Sequence, residues 1–122
     1  MRYDPMKDPE ADEWRDADET ERLLAVVDYH KKARIKLPNV RVHAAIHMVV
    51  ENQLAEGYEC AVGALGRLTA AGLNRHEAIH AIGSVVASHM HGLLSGAKQG
   101  FDEGAYSRDL DALEAAEWRG PR

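Results

Sequence analysis

Two segments of the chain carry histidines one helical turn apart. His43-Ala-Ala-Ile-His47-Met-Val-Val-Glu51 offers three candidate ligands at successive i, i+4 steps, and His76-Glu77-Ala-Ile-His80 is a literal HExxH. On a helix, positions i and i+4 differ by only about 40° in azimuth, so each pair projects from one side. Two imidazoles so placed can chelate one ion from a rigid scaffold, and neutral imidazole is a common transition-metal ligand. His43 and Glu51 lie about 12 Å apart along a helix axis, too far to share one ion. A mononuclear site therefore takes His43 with His47, or His47 with Glu51, together with His76 and His80. Using all of these residues requires a dinuclear centre. Nitrogen donors with at most one carboxylate oxygen and no sulfur suit zinc, iron or nickel better than calcium or magnesium. Zinc is the expected ion, with iron the alternative.

Glu51 and Glu77 are the carboxylates that could take a proton from a metal-bound water, the role of the Glu in HExxH peptidases. Asn74-Arg-His-Glu77 also has the N-cap and N3 spacing of a capping box. HExxH falls here within the first helical turn, which favours the cap. No third histidine of the HxxGxxH kind follows, since Val86 stands at its place. His30 and Asp28 could add a further ligand or orient one. His91 shares the azimuth of His76 and His80 but lies about 16 Å beyond His80. His89 points to another side, toward solvent or a subunit contact.

The elements that must hold these residues read as helices. A first helix starts near Asp16 to Thr20 and carries Leu23, Leu24, Val27 and His30 at helical spacing. Pro38 interrupts the pattern, and Asn39 can cap a second helix that stops at Gly57. A third runs from about Glu59 to Ala71, before Gly72, and a fourth opens at Asn74 and ends near Gly96. The segment from Asp102 to Trp118 repeats the pattern with Leu110, Leu113 and Ala116. No convincing period-2 segment and no Asn-Gly or Asp-Gly hairpin signal occurs. The expected fold is all-α, a compact bundle or orthogonal array of four to five helices. Residues 1–15, with Pro5 and Pro9, read as a flexible acidic tail, and 16–122 as one helical domain.

Composition narrows the functions. The chain has 122 residues, 45% hydrophobic and 29% charged, which is ordinary globular composition. No run approaches the roughly 20 apolar residues of a membrane span, and the N-terminus does not look like a secretory signal. The single Cys60 excludes an internal disulfide and a CxxC site, and it fits a reducing, cytoplasmic setting. A net charge of -5 argues against a general phosphate-backbone binder. Residues 1–21 hold nine acids and three bases, and the basic run His30 to Arg41 reads as a solvated helix end. Residues 42–100 carry seven formal charges yet six of the seven histidines, a concentration that solvent exposure does not explain. Long apolar helices in a chain with 6% aromatics are compatible with a homodimer.

From Asn39 to about Ala87, through Asn-Val-Arg-Val-His-Ala-Ala-Ile-His and Leu-Asn-Arg-His-Glu-Ala-Ile-His, the chain resembles a small bacterial family described only as a domain of unknown function. The resemblance implies a shared helical core and a metal site from His43, His47, an acid-Gln pair near Glu51 to Gln53, His76 and His80. Glu77 is not a fixture of that family, and no reaction comes with it. His47 to Glu51 and His76 to His80 are also similar to ligand pairs of hemerythrin-like di-iron bundles, although no final HxxxxD follows; that likeness is one of site chemistry alone. Four functions stay open at this point: a metal-dependent hydrolase, a non-catalytic module stapled by its ion, a metal-free interaction domain, and a non-haem di-iron protein.

Overall fold

A computed structural model describes residues 1–33, 39–96 and 100–119. Six α-helices follow in order: α1 (Ala11–Asp16), α2 (Glu19–Lys32), α3 (Val40–Ala55), α4 (Glu59–Ala70), α5 (Arg75–Leu94) and α6 (Glu103–Asp111). A 3-10 turn at Ala115–Glu117 ends the series. The described residues contain no strand, so the fold is all-α. None of these helices is long and apolar enough to cross a membrane.

Local chemistry sets most of the boundaries. The Asn39 side chain accepts from the Val42 N–H to start α3, and Asp18 does the same for the Glu21 N–H at α2. After α3 the chain reverses through Gly57 at φ 71°, where the Tyr58 N–H donates to the Gln53 carbonyl. That left-handed residue satisfies a carbonyl left open at the helix end. Pro38 and the bases Arg34 and Lys36 lie outside the described residues.

The core has two parts, and α3 belongs to both. One part gathers Val50 of α3 with Leu68, Leu73, Ile79, Ile82, Tyr106 and Leu110. The other gathers Ala44 of α3 with Tyr3, Trp14, Val26 and Val27. His47 stands between Ala44 and Val50 on the same helix, where α2, α3 and α5 meet. The approach of α5 to α3 depends on Gly83: a Cβ there would lie 2.9 Å from Ile46 Cγ2. That contact sits one turn from His80 and beside His47, so the absence of a side chain draws the imidazoles of the two helices together.

The N-terminal residues correct the expectation of a tail. Tyr3, Pro5 and Trp14 are buried. The Trp14 indole N–H donates to Asn52 Oδ1 at 2.9 Å, and the Arg22 guanidinium donates to the same oxygen. Acidic composition predicted solvation, but the few aromatic rings of this segment find an apolar seat against α2 and α3 that composition cannot report. The segment expected as a fifth helix is divided, with α6 ending at Asp111 before the short 3-10 turn.

Candidate metal centre

His30 lies in the last turn of α2, His43 and His47 one turn apart on α3, and His76 and His80 one turn apart on α5. The three helices bring one donor atom each from His30, His47, His76 and His80 within 4.8 Å of one another. His43 stands beside this group, its ring centroid 4.8 Å from that of His30, 4.7 Å from His47 and 5.0 Å from His80. The Nε2 atoms of His47 and His80 are 3.0 Å apart. The Nε2 atoms of His30, His43 and His76 are buried and have no hydrogen-bond partner among the described residues. Buried polar atoms are ordinarily satisfied, so three orphans in one cluster call for an explanation.

Hydrogen bonding sets two of the tautomers. His30 Nδ1 lies 2.8 Å from the Val26 carbonyl oxygen. A carbonyl only accepts, so Nδ1 carries the proton and the Nε2 lone pair of the neutral ring is free. At His47 the same result comes through a longer chain. Tyr3 donates its single hydroxyl proton to Glu51 Oε2 at 2.6 Å. Its oxygen, 3.1 Å from His47 Nδ1, therefore accepts the Nδ1–H, leaving His47 Nε2 unprotonated. Arg75 holds the far side of Glu51 through two bonds, Nη1 to Oε2 at 2.8 Å and Nη2 to Oε1 at 2.6 Å. Histidines that bind metal are commonly oriented through the other ring nitrogen in this way.

The cluster resists protonation. Burial, reinforced by the neighbouring histidines, lowers His43, His76 and His80 from 6.5 to about 4. Burial pulls His47 down further. Their imidazoles are neutral at pH 7, the form that ligates. Burial and the Glu51 carboxylate raise the Tyr3 hydroxyl, so it stays protonated. Burial works against the Arg75 charge, but its hydrogen bonds and charge contact with Glu51 outweigh this and hold the guanidinium protonated.

The placement of the expected residues divides sharply. His47, His76 and His80 fall within the four-donor group, and His43 adjoins it. Glu51 does not: its carboxylate is fully buried but engaged by Arg75 and Tyr3, so it supports a histidine from behind instead of joining the donor group. Glu77 closes the capping box of α5, accepting from the Asn74 N–H at 2.9 Å while Asn74 Oδ1 accepts from the Glu77 N–H. His30, a secondary candidate in the sequence, completes the group in place of Glu51, whereas Asp28 is exposed and paired with Lys32. His89 is buried, not solvent-facing, with Nε2 2.7 Å from Asp109 Oδ2; His91 is exposed. Tyr3 and Arg75 had no signal in the sequence. An aromatic in an acidic, proline-containing segment has no periodicity to mark it, and Arg75 reads as an ordinary first-turn residue.

Compared with family models, curated proteins and solved structures, the chain finds no match in any of the three. The molecule itself therefore defines its class: an all-helical protein with a partly buried cluster of imidazoles that could hold a metal ion.

Proposed function

We propose that the protein binds one zinc ion between α2, α3 and α5 through His30, His47, His76 and His80. The observation that carries this reading is the convergence of four imidazoles from three helices, with orphaned Nε2 atoms on His30 and His76. Tetrahedral zinc with N donors at about 2.0–2.1 Å holds them about 3.3 Å from each other. The 3.0 Å between His47 and His80 is already near that value. Small side-chain rotations draw in the rest. The ion then replaces unsatisfied buried nitrogens with ligand bonds and ties three helices together, which makes metal affinity a folding term. The resemblance of residues 39–87 to a helical family of unknown function belongs to this reading, and it covers the α3 and α5 half of the site. The free thiol of Cys60 supports a reducing, cytoplasmic setting.

A stapling role has more support than hydrolysis. The carboxylates that sequence spacing offers as bases are committed elsewhere, Glu51 to Arg75 and Tyr3, and Glu77 to the α5 cap.

Metal analysis of protein purified without a polyhistidine tag tests the proposal. About one equivalent of zinc per chain is expected. At free zinc a thousandfold above Kd, stabilisation is about 4 kcal/mol, a rise in Tm of about 10–20 °C at this size. His47→Ala and His80→Ala abolish both. Iron in place of zinc corrects the metal and keeps the site. Less than about 0.2 equivalents of any transition metal, with no thermal shift on adding zinc or iron, overturns it.

A further inference from the structure

His43 is the histidine that a four-donor zinc site leaves unexplained. Its Nε2 is buried and has no hydrogen-bond partner among the described residues. It also stands outside the set of donors that lie within 4.8 Å of one another. Burying a polar atom without a partner is costly, so an idle donor at this position needs an account. The ring contacts supply one. His47 touches all four other imidazoles, with centroids 4.9 Å from His30, 4.7 Å from His43, 5.2 Å from His76 and 4.9 Å from His80. The four form a circuit: His30 to His43 at 4.8 Å, His43 to His80 at 5.0 Å, His80 to His76 at 4.2 Å, and His76 back to His30 at 6.1 Å. A ring of four with a fifth member against each of them has the connectivity of a square pyramid. His47 is its apex, and it is the imidazole that Tyr3 orients from behind. Tetragonal nitrogen coordination is the preference of copper(II) and nickel(II), whereas zinc settles into four tetrahedral ligands.

We propose that His43 is a fifth metal donor, recruited by copper(II) into a tetragonal five-imidazole site and left idle by zinc. The inference rests on the metal reading, because it adds a ligand to that same centre. Zinc draws in the four nitrogens already grouped, and His43, which has further to move, stays out. Copper(II) stands above zinc in affinity for nitrogen sites generally. The mark of the fifth donor is therefore the dependence of copper binding on His43. The centre then discriminates between divalent ions by coordination number, which four histidines alone do not do.

Competition titrations against a chelator, run with copper(II) and with zinc on wild type and His43→Ala, test it. Cys60→Ser is carried in every sample so that the copper has no thiol to oxidise. His43→Ala is expected to weaken copper(II) at least about tenfold and to change zinc by less than about threefold. The electron paramagnetic resonance spectrum of copper-loaded wild type is expected to be axial with splitting from nitrogen, and to shift in His43→Ala. Should that variant fail to fold, His43→Phe keeps a ring in the contacts, removes the donor nitrogens and carries the same expectations. A smaller copper loss in the folded variant, or an unchanged spectrum, overturns the fifth donor. A zinc loss as large as the copper loss overturns the discrimination between the ions. In both outcomes wild type still binds zinc, so the four-histidine centre stands. Uptake of neither ion by wild type overturns both proposals together.

Discussion

Helix α5 carries half-buried histidines near its start and a buried one near its end, and the two environments differ most in their partners. His89 is 4% exposed, packs edge-on against Tyr106 with ring centroids 5.4 Å apart, and meets Asp109 Oδ2 at 2.7 Å. Its accessible donor has an acceptor, and nothing about it calls for a ligand. Between two and four turns earlier, His76 and His80 enter a cluster in which imidazole faces imidazole and three Nε2 atoms are unmatched. All three side chains are at least half withdrawn from solvent, His89 the most. The difference lies in the partners, and it separates a core histidine from a candidate ligand more sharply than exposure does.

The largest expected effect comes from breaking the support behind His47. Glu51→Ala leaves the Arg75 guanidinium, whose side chain is 10% exposed, without its bidentate partner. Removing one member of a buried pair costs about 3–5 kcal/mol, and the surviving contacts of Arg75 to Asp8 and the Pro5 carbonyl place the loss near the lower figure. Urea unfolding of the metal-free protein measures it. Tyr3→Phe is milder for stability but cuts the bond that sets the His47 tautomer, so zinc affinity falls by about 10–100-fold. Unchanged zinc affinity in a folded Tyr3→Phe protein breaks the claim that this centre is organised from outside.

Those two residues show where sequence reasoning stops. The caps at Asn39 and Asn74 and the turns at Gly57, Gly72 and Gly96 were legible because each depends on neighbours within a few positions. The pairs on α3 and α5 were legible because helical spacing alone puts them on one side. Convergence is a different matter. Tyr3 reaches Glu51 across 48 positions, and Arg75 reaches it across 24. Helical periodicity is blind to such contacts. Glu51 at i+4 from His47 looked like a ligand for the same reason that it can share a tyrosine with that histidine: proximity along the helix does not say which way a carboxylate turns once a guanidinium is available. His30 was undervalued because no second donor one turn away marked it.

The next effect sharpens the comparison through pH. In the folded, metal-free protein His43, His76 and His80 titrate near 4 and His47 lower, against 6.5 when unfolded. Between those values the unfolded chain binds more protons than the folded one, so stability rises with pH. The contribution is complete above about 6.5 and is lost as pH falls toward and through 4. Unfolding free energy measured from pH 7 to 4 is expected to decline, and His80→Gln flattens the slope by removing one of the groups. An identical slope in wild type and His80→Gln breaks the assignment of this pH dependence to the cluster.

The smallest effect is expected at the other end of α5. Asp109→Asn keeps a side chain that can hydrogen-bond His89 and removes only the carboxylate charge. The Asp109 side chain is 57% exposed, so solvent screens the pair, and the loss is held to about 1 kcal/mol or less. Zinc content is expected to be unchanged, because His89 lies more than two helical turns from His80 and belongs to the part of the core around Tyr106 and Leu110. Unfolding in urea and metal analysis of the same preparation read both quantities. If Asp109→Asn lost zinc, the two histidine environments would be coupled along α5, and partner bookkeeping would no longer distinguish the satisfied histidine from the ligating ones. Unchanged zinc with a small stability loss, beside the large losses of Glu51→Ala, places the special demand at the α2–α3–α5 junction and leaves His89 as ordinary core.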